Sequence, residues 1–413
     1  MEVGLEAMLS DRAVQAGTTS QQRQLSVSVS AIASSTGIGN LRLNLCLILD
    51  RSGSMAGKPL ETVQKAAMAV IDRLQEGDRL SVISFNHQAQ VLISNQTIDD
   101  RTRLKRSIEL LEANGGTSID EGLRLGIEEL AKGKQDAVSQ VFLLTDGENE
   151  HGDNDRCLKL ASLATEYKLT INTLGFGAHW NQDVLEKLAD AGGGTLSYIE
   201  YPEEAITAFS TLFERVQSVG LTNAFLKLSL VPEVRLAELK PIAQVSPDTI
   251  ELPMQPDGES ITVRLGDLMQ DQPRVILVNL YLGQLPLGEG NIATLHVIYD
   301  NPGLGAEGLT SAPVTVTAIV TENYQPEVNP QVQPHLLSLA KYRQTQLAET
   351  RLQEGDRQGA ATLLQTAAKT ALQLGDRNAA TILQESATRL QSGDELSAQE
   401  RKKTRIASKT RLG

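Results

Sequence analysis

An apolar run, Leu45 to Leu49, ends abruptly in Asp50-Arg51-Ser52-Gly53-Ser54. An uninterrupted apolar run closed by a polar, glycine-containing turn reads as a strand buried on both faces of a parallel sheet. Asp50, Ser52 and Ser54 then stand just past its carboxyl end. In open α/β sheets that edge is where ligands bind. One carboxylate and two hydroxyls in this spacing offer hard oxygen donors to a hard cation. Asp, Ser and Gly are also ordinary turn residues, so the spacing alone is a weak signal.

Strands and helices alternate from Leu41 onward. Pro59 suits a first helical turn, and Leu60, Val63, Ala67, Val70 and Leu74 mark one helical face. Short strands follow at 80–85 and 90–93, helices at 98–112 and 119–131, and a buried strand at 141–144. A strand at 170–174, another at 195–199 and a last helix at 203–216 complete the series. The alternation predicts a doubly wound, mostly parallel sheet over residues 38–218.

Two later segments strengthen the reading of the first. Asn114-Gly115-Gly116-Thr117-Ser118 puts a hydroxyl in a glycine-bracketed loop before a helix. The apolar strand Gln140 to Thr145 ends in Asp146-Gly147. Asp50, Ser52, Ser54, Thr117 and Asp146 thus come from three loops of one sheet edge. The set resembles the metal-ion-dependent adhesion site of von Willebrand factor type A domains, with all five positions filled by the expected residue type. The resemblance spans residues 41–218 and extends to Gly175-Phe176-Gly177 and Gly192-Gly193-Gly194. It implies that Ser52 and Ser54 bind Mg²⁺ directly (Mn²⁺ or Ca²⁺ being alternatives), that Thr117 moves in and out, and that Asp50 and Asp146 act largely through water. Too few protein donors surround the ion to close its shell, so the open position expects an Asp or Glu from a protein partner.

Outside this segment the pattern changes. Glu2 to Leu9 and Gln24 to Ala33 alternate apolar and polar residues, as half-buried strands do. Residues 219–326 read as strands separated by Pro- and Gly-containing turns, an antiparallel sandwich that the strands of residues 1–37 complete. The α/β domain is then inserted into the sandwich. Inter-alpha-trypsin heavy chains and vesicle-coat subunits look broadly similar in carrying β domains beside such a module. Residues 327–392 are helical, with Gly355-Asp356 recurring as Gly375-Asp376, each a helix stop followed by an N-cap. Residues 393–413 form a basic tail without periodicity, expected to be disordered. It carries Lys403-Thr404-Arg405 and Lys409-Thr410-Arg411, which suggest phosphorylation of Thr404 and Thr410 by a kinase and capture by a forkhead-associated-domain protein.

The net charge of −13 argues against nucleic acid as the main partner. No apolar run is long enough to span a membrane, and the N-terminus lacks the basic start and apolar core of a secretory signal, so a cytoplasmic protein is expected. Cys46 and Cys157 read as isolated core residues. His87, His151, His179, His296 and His335 are scattered, and none sits in a nucleophile elbow or a zinc spacing. No convergent base appears, which favours a non-enzymatic interaction module. The alternative is an adaptor for an AAA+ ATPase of the MoxR or chelatase kind. Glu148, Glu150, Asp153 and Asp155 read as the acidic start of the next helix, as a specificity rim, or as a second cation site with His151. Trp180 reads as a packed side chain or part of a binding rim.

Overall fold

The computed structural model describes residues 1–33, 41–134, 137–177, 179–270 and 272–410. The expected linker at 34–40 and residues 411–413, which include Arg411 of the second Lys-Thr-Arg motif, lie outside them.

Six strands form the central sheet, in the order Ala89–Thr97, Arg79–Phe85, Arg42–Asp50, Ala137–Thr145, Thr170–Phe176, Gly193–Ile199. Only the edge pair Ala89–Thr97 with Arg79–Phe85 is antiparallel. Side chains alternate across a strand, so Leu45, Leu47 and Leu49 face one helical layer while Cys46 and Ile48 face the other. Helices Lys58–Arg73, Arg101–Glu109 and Ala205–Gln217 cover the first face, where Phe142 meets Phe209 edge-on with centroids 6.3 Å apart. Helices Ile119–Lys132, Asn154–Glu166 and Gln182–Ala191 cover the second. From Arg42–Asp50 the chain first winds one way and later returns on the other side. The strand order therefore reverses between Arg42–Asp50 and Ala137–Thr145.

This domain is inserted into a two-sheet sandwich. In one sheet Gln21–Ile32 is an interior strand between Glu2–Leu9 and Arg274–Leu282. The other sheet is built around Val219–Leu230, Ser260–Met269 and Gly288–Asn301, with Ala13–Gln15 added in parallel at Val314–Thr321. The chain leaves and re-enters the sandwich at neighbouring points, since a Cβ on Gly220 would fall 2.8 Å from Ala31 Cβ. Polar bonds fix the two domains together: Asp267 Oδ2 accepts from Gln140 at 2.6 Å and from Thr170 at 2.7 Å. Short strands such as Ile242–Ser246 and Ala306–Thr310 escape sequence reading because so few residues display no period.

Helix Gln333–Gln353 rests on the sandwich, packing Leu339 and Tyr342 against Val245, Val275 and Leu277. Helices Arg357–Gln373 and Arg377–Gln391 follow, each begun by the repeated Gly-Asp pair. Gly355 (φ +83°) and Gly375 (φ +77°) end one helix in the left-handed region, and Asp356 and Asp376 accept from Gly359 and Ala379 amides to start the next.

The expected disordered tail is corrected by the structure. Ala398–Lys409 is a helix, begun by a Ser397/Glu400 capping box. Its basic residues are matched by acidic ones on the α/β domain, with Lys409 Nζ 2.6 Å from Asp190. Those partners lie more than two hundred residues away in sequence, beyond the reach of any local pattern. Thr404 is buried and its hydroxyl is 2.8 Å from that of Ser386, while Thr410 donates to Asp248 at 2.9 Å. Neither threonine stands on an exposed, disordered tail. Among the described residues no helix is long and apolar enough to cross a membrane.

Candidate functional site

Asp50 ends the central strand at the point where strand order reverses, fully buried. Its Oδ1 accepts from the Ser52 amide at 2.7 Å, and its Oδ2 accepts from the Thr145 hydroxyl. Ser52 and Ser54 hydroxyls are 3.0 Å apart, and Ser54 donates to Asp146 Oδ1 at 2.7 Å. One connected set of oxygens thus runs from the first loop to the third.

The middle loop is tied to the first by backbone bonds. Gly53 donates to the Gly115 carbonyl at 2.8 Å, and Asn114 donates to the Arg51 carbonyl at 2.8 Å. Gly115, at φ +75°, takes a backbone conformation that a side chain would strain. Thr117 is buried and joins the third loop, its carbonyl accepting from the His151 amide at 2.9 Å. Its hydroxyl faces Gly147, where a Cβ would lie 3.0 Å away. Among the described residues the Thr117 hydroxyl bonds none of the other four site residues. The five nominated residues therefore share one edge, four of them linked directly and Thr117 beside them.

Burial pushes the Asp50 carboxyl up to about 6, against the pull of its bonds from Thr145 and Ser52. Burial also raises Asp146, with Ser54 and His179 opposing. A buried and a half-buried carboxyl beside two hydroxyls, with no Lys or Arg bonded to any of them among the described residues, form a donor set that suits a hard cation. Among the described residues no three His, Cys, Asp or Glu side chains group to hold a metal ion, so at this edge the two carboxylates would act with hydroxyls.

A von Willebrand factor type A domain model matches residues 44–212, and the model of the Sll0103-like C-terminal alpha-helical domain matches residues 330–413. A Synechocystis protein, sll0103, is 58% identical over 412 residues, covering 100% of this chain and 98% of its own length. The chain belongs to the Sll0103-like family of von Willebrand factor type A domain proteins. A von Willebrand factor type A protein from Catenulispora acidiphila has the same fold across 99% of this chain and 97% of its own, at TM-score 0.83 and 18% identity. Human inter-alpha-trypsin inhibitor heavy chain H3 is 27% identical over 191 residues, which cover 44% of this chain and 22% of that protein.

In this Sll0103-like protein several supporting residues went unnoticed in the sequence. Buried Asn86 donates to both oxygens of Asn114, at 3.0 and 2.6 Å, and its carbonyl accepts from Ser118 at 2.7 Å. Buried Asn149 accepts from the Ile119 amide at 2.7 Å and so anchors the helix behind Thr117. Asn86 follows an apolar strand as closely as Asp50 does, which is the signal that could have found it, whereas Asn149 stands further along the third loop. The histidines are also less scattered than the sequence suggests. His87 and His151 pack on Gly115 and Gly116 with ring centroids 6.4 Å apart, and His179 lies near Asp146. Asp153 caps helix Asn154–Glu166, whereas Glu148 and Glu150 stay exposed on the rim. Trp180 is a packed residue, 1% exposed. Cys46 and Cys157 are free and buried.

Proposed function

We propose that this protein is a non-enzymatic interaction module that binds a partner's Asp or Glu through a divalent cation at the Asp50–Asp146 edge. A von Willebrand factor type A domain is a general protein-interaction module, and this reading makes its binding metal-dependent. The observation that carries it is the bonded set Ser52–Ser54–Asp146 over buried Asp50, at the reversal of strand order. Ser52 and Ser54 would hold Mg²⁺ or Mn²⁺, Thr117 would approach it, and Asp50 and Asp146 would orient the hydroxyls and balance charge. When bound, the ion supplies a coordination position for an incoming carboxylate. Thr145 keeps Asp50 in place, and the backbone bonds between loops hold the edge in shape before any partner arrives.

A pull-down from native lysate tests this, with Mg²⁺ or EDTA and with wild type, Asp50→Ala or Ser54→Ala. The expected partner is lost on chelation and in both variants, while circular dichroism shows each variant folded. A partner retained through chelation and both substitutions refutes the metal bridge. Phosphorylation of Thr404 or Thr410, followed by capture in a phosphothreonine pocket, would act on the C-terminal helix only after it leaves its seat. Phosphopeptide mapping that covers both threonines and finds neither modified refutes that part.

A further inference from the structure

Helix Ala398–Lys409 crosses from the helical domain to the metal-site domain, and its cations meet a row of carboxylates there. Asp183, Glu186 and Asp190 lie three and four residues apart on helix Gln182–Ala191, which puts them on one face. Arg405 pairs with Asp183, and its Nε is 2.8 Å from Glu186 Oε2, an ion pair too poorly angled for a hydrogen bond. Lys409 reaches Glu186 at 3.1 Å and Asp190 at 2.6 Å. Lys403 and Gln399 both reach Glu200 at 2.8 Å. Exposed pairs of this kind are worth little. Lys409 and Glu186, however, have side chains only 8% and 5% exposed, so separating them leaves buried charge behind.

The same helix presses on Trp180. Lys402 Nζ donates to the Trp180 carbonyl at 2.6 Å and stands 4.4 Å from the ring centroid. The indole donates to the Gly177 carbonyl at 2.9 Å and packs on Gly175, where a Cβ would fall 2.4 Å from the ring. Gly175 pairs in the sheet with Thr145, whose hydroxyl bonds Asp50. A contiguous path of packing, sheet pairing and hydrogen bonding therefore joins Lys402 to Asp50.

We propose, building on the cation site above, that the C-terminal helix is a clasp whose hold on Trp180 sets the cation affinity of the Asp50–Asp146 edge. With the helix seated, Trp180 braces the end of Thr170–Phe176, whose neighbour Ala137–Thr145 pairs with the strand of Asp50. With the helix released, that edge loosens and its affinity changes. Coupling of this kind needs a differential contact between two states, and the Lys402–Trp180 contact is one that only the seated state can make.

Trp180 is the only tryptophan in the chain, so its emission reports the clasp directly. The test uses the full chain as wild type, Lys402→Met and Lys402→Arg. Three quantities are measured: Trp180 emission, hydrogen exchange of peptides covering 141–151 without added metal, and Mn²⁺ affinity by calorimetry. Lys402→Met is expected to red-shift the emission, speed exchange at 141–151 and change the Mn²⁺ Kd by about fivefold or more. Lys402→Arg, which keeps the cation over the ring, restores all three. Should the Met variant fail to fold, Arg405→Gln carries the same expectation. Faster exchange confined to 179–190 and 398–410, or an unchanged Kd beside tight wild-type binding, overturns the clasp. Wild type that binds no Mn²⁺ refutes the cation site itself, and with it any control of its affinity.

Discussion

Asp50 and Ser54 differ in what surrounds them, and substitution separates the two effects. Ser54 is exposed, and among the described residues its hydroxyl bonds Ser52 and Asp146. Ser54→Ala is expected to weaken Mn²⁺ binding at least about tenfold while moving stability by roughly 0.5 kcal/mol or less, since surface changes seldom cost more. Calorimetry and urea unfolding check the two halves. Asp50→Ala removes the acceptor of the buried Ser52 amide and Thr145 hydroxyl, so it is expected to lose binding and to destabilise by about 1–3 kcal/mol. Lys402 offers a pH test. Burial pushes its ammonium from 10.5 down to about 8. Across that window the unfolded chain binds more protons than the folded one, so this group makes stability rise with pH and lowers it as pH falls toward 8. The wild-type advantage over Lys402→Met in urea unfolding is therefore expected to grow from pH 8 to pH 10.5.

At the scale of elements, the two Gly-Asp starts look alike in sequence and differ in cost. Asp356 is exposed and caps one helix. Asp356→Ala is expected to cost about 1 kcal/mol, an ordinary capping loss. Asp376 is fully buried and stands 3.5 Å from Lys341 Nζ, itself buried. Asp376→Ala leaves that ammonium without its carboxylate and is expected to cost about 3–5 kcal/mol. Urea unfolding of both variants distinguishes capping from charge burial, and equal losses would contradict the burial argument. The central strand is a contrasting case. Its alternating Leu45, Cys46, Leu47 and Ile48 feed two helical layers, and apolar pattern alone predicts that.

For the whole molecule, insertion governs what can fold alone. The segment 41–218 holds its complete sheet and both helical layers. Without residues 1–33, Arg274–Leu282 loses its neighbour Gln21–Ile32, and the second sheet loses Ala13–Gln15 beside Val314–Thr321. Residues 41–218 expressed alone are expected to unfold cooperatively, and residues 219–330 alone to give no cooperative transition. Circular dichroism in urea checks both. Trp180 in the isolated 41–218 piece, having lost Lys402, is expected to emit at longer wavelength than in the full chain.

The sequence by itself determined the parallel sheet, the edge that carries Asp50, Ser52, Ser54, Thr117 and Asp146, and the helix starts at Asp356 and Asp376. Buried strands and caps are written in adjacent residues, because hydrophobic period and local hydrogen bonding act over a few positions. Tertiary structure alone decided the fate of the C-terminal segment, the gathering of His87 and His151 at the site, and the roles of Asn86 and Asn149. Each depends on partners brought close only by folding. The cations of Arg401-Lys402-Lys403-Thr404-Arg405 repel one another in an isolated chain, and the segment becomes an ordered helix once Glu200 faces Lys403 and Asp183 and Glu186 face Arg405.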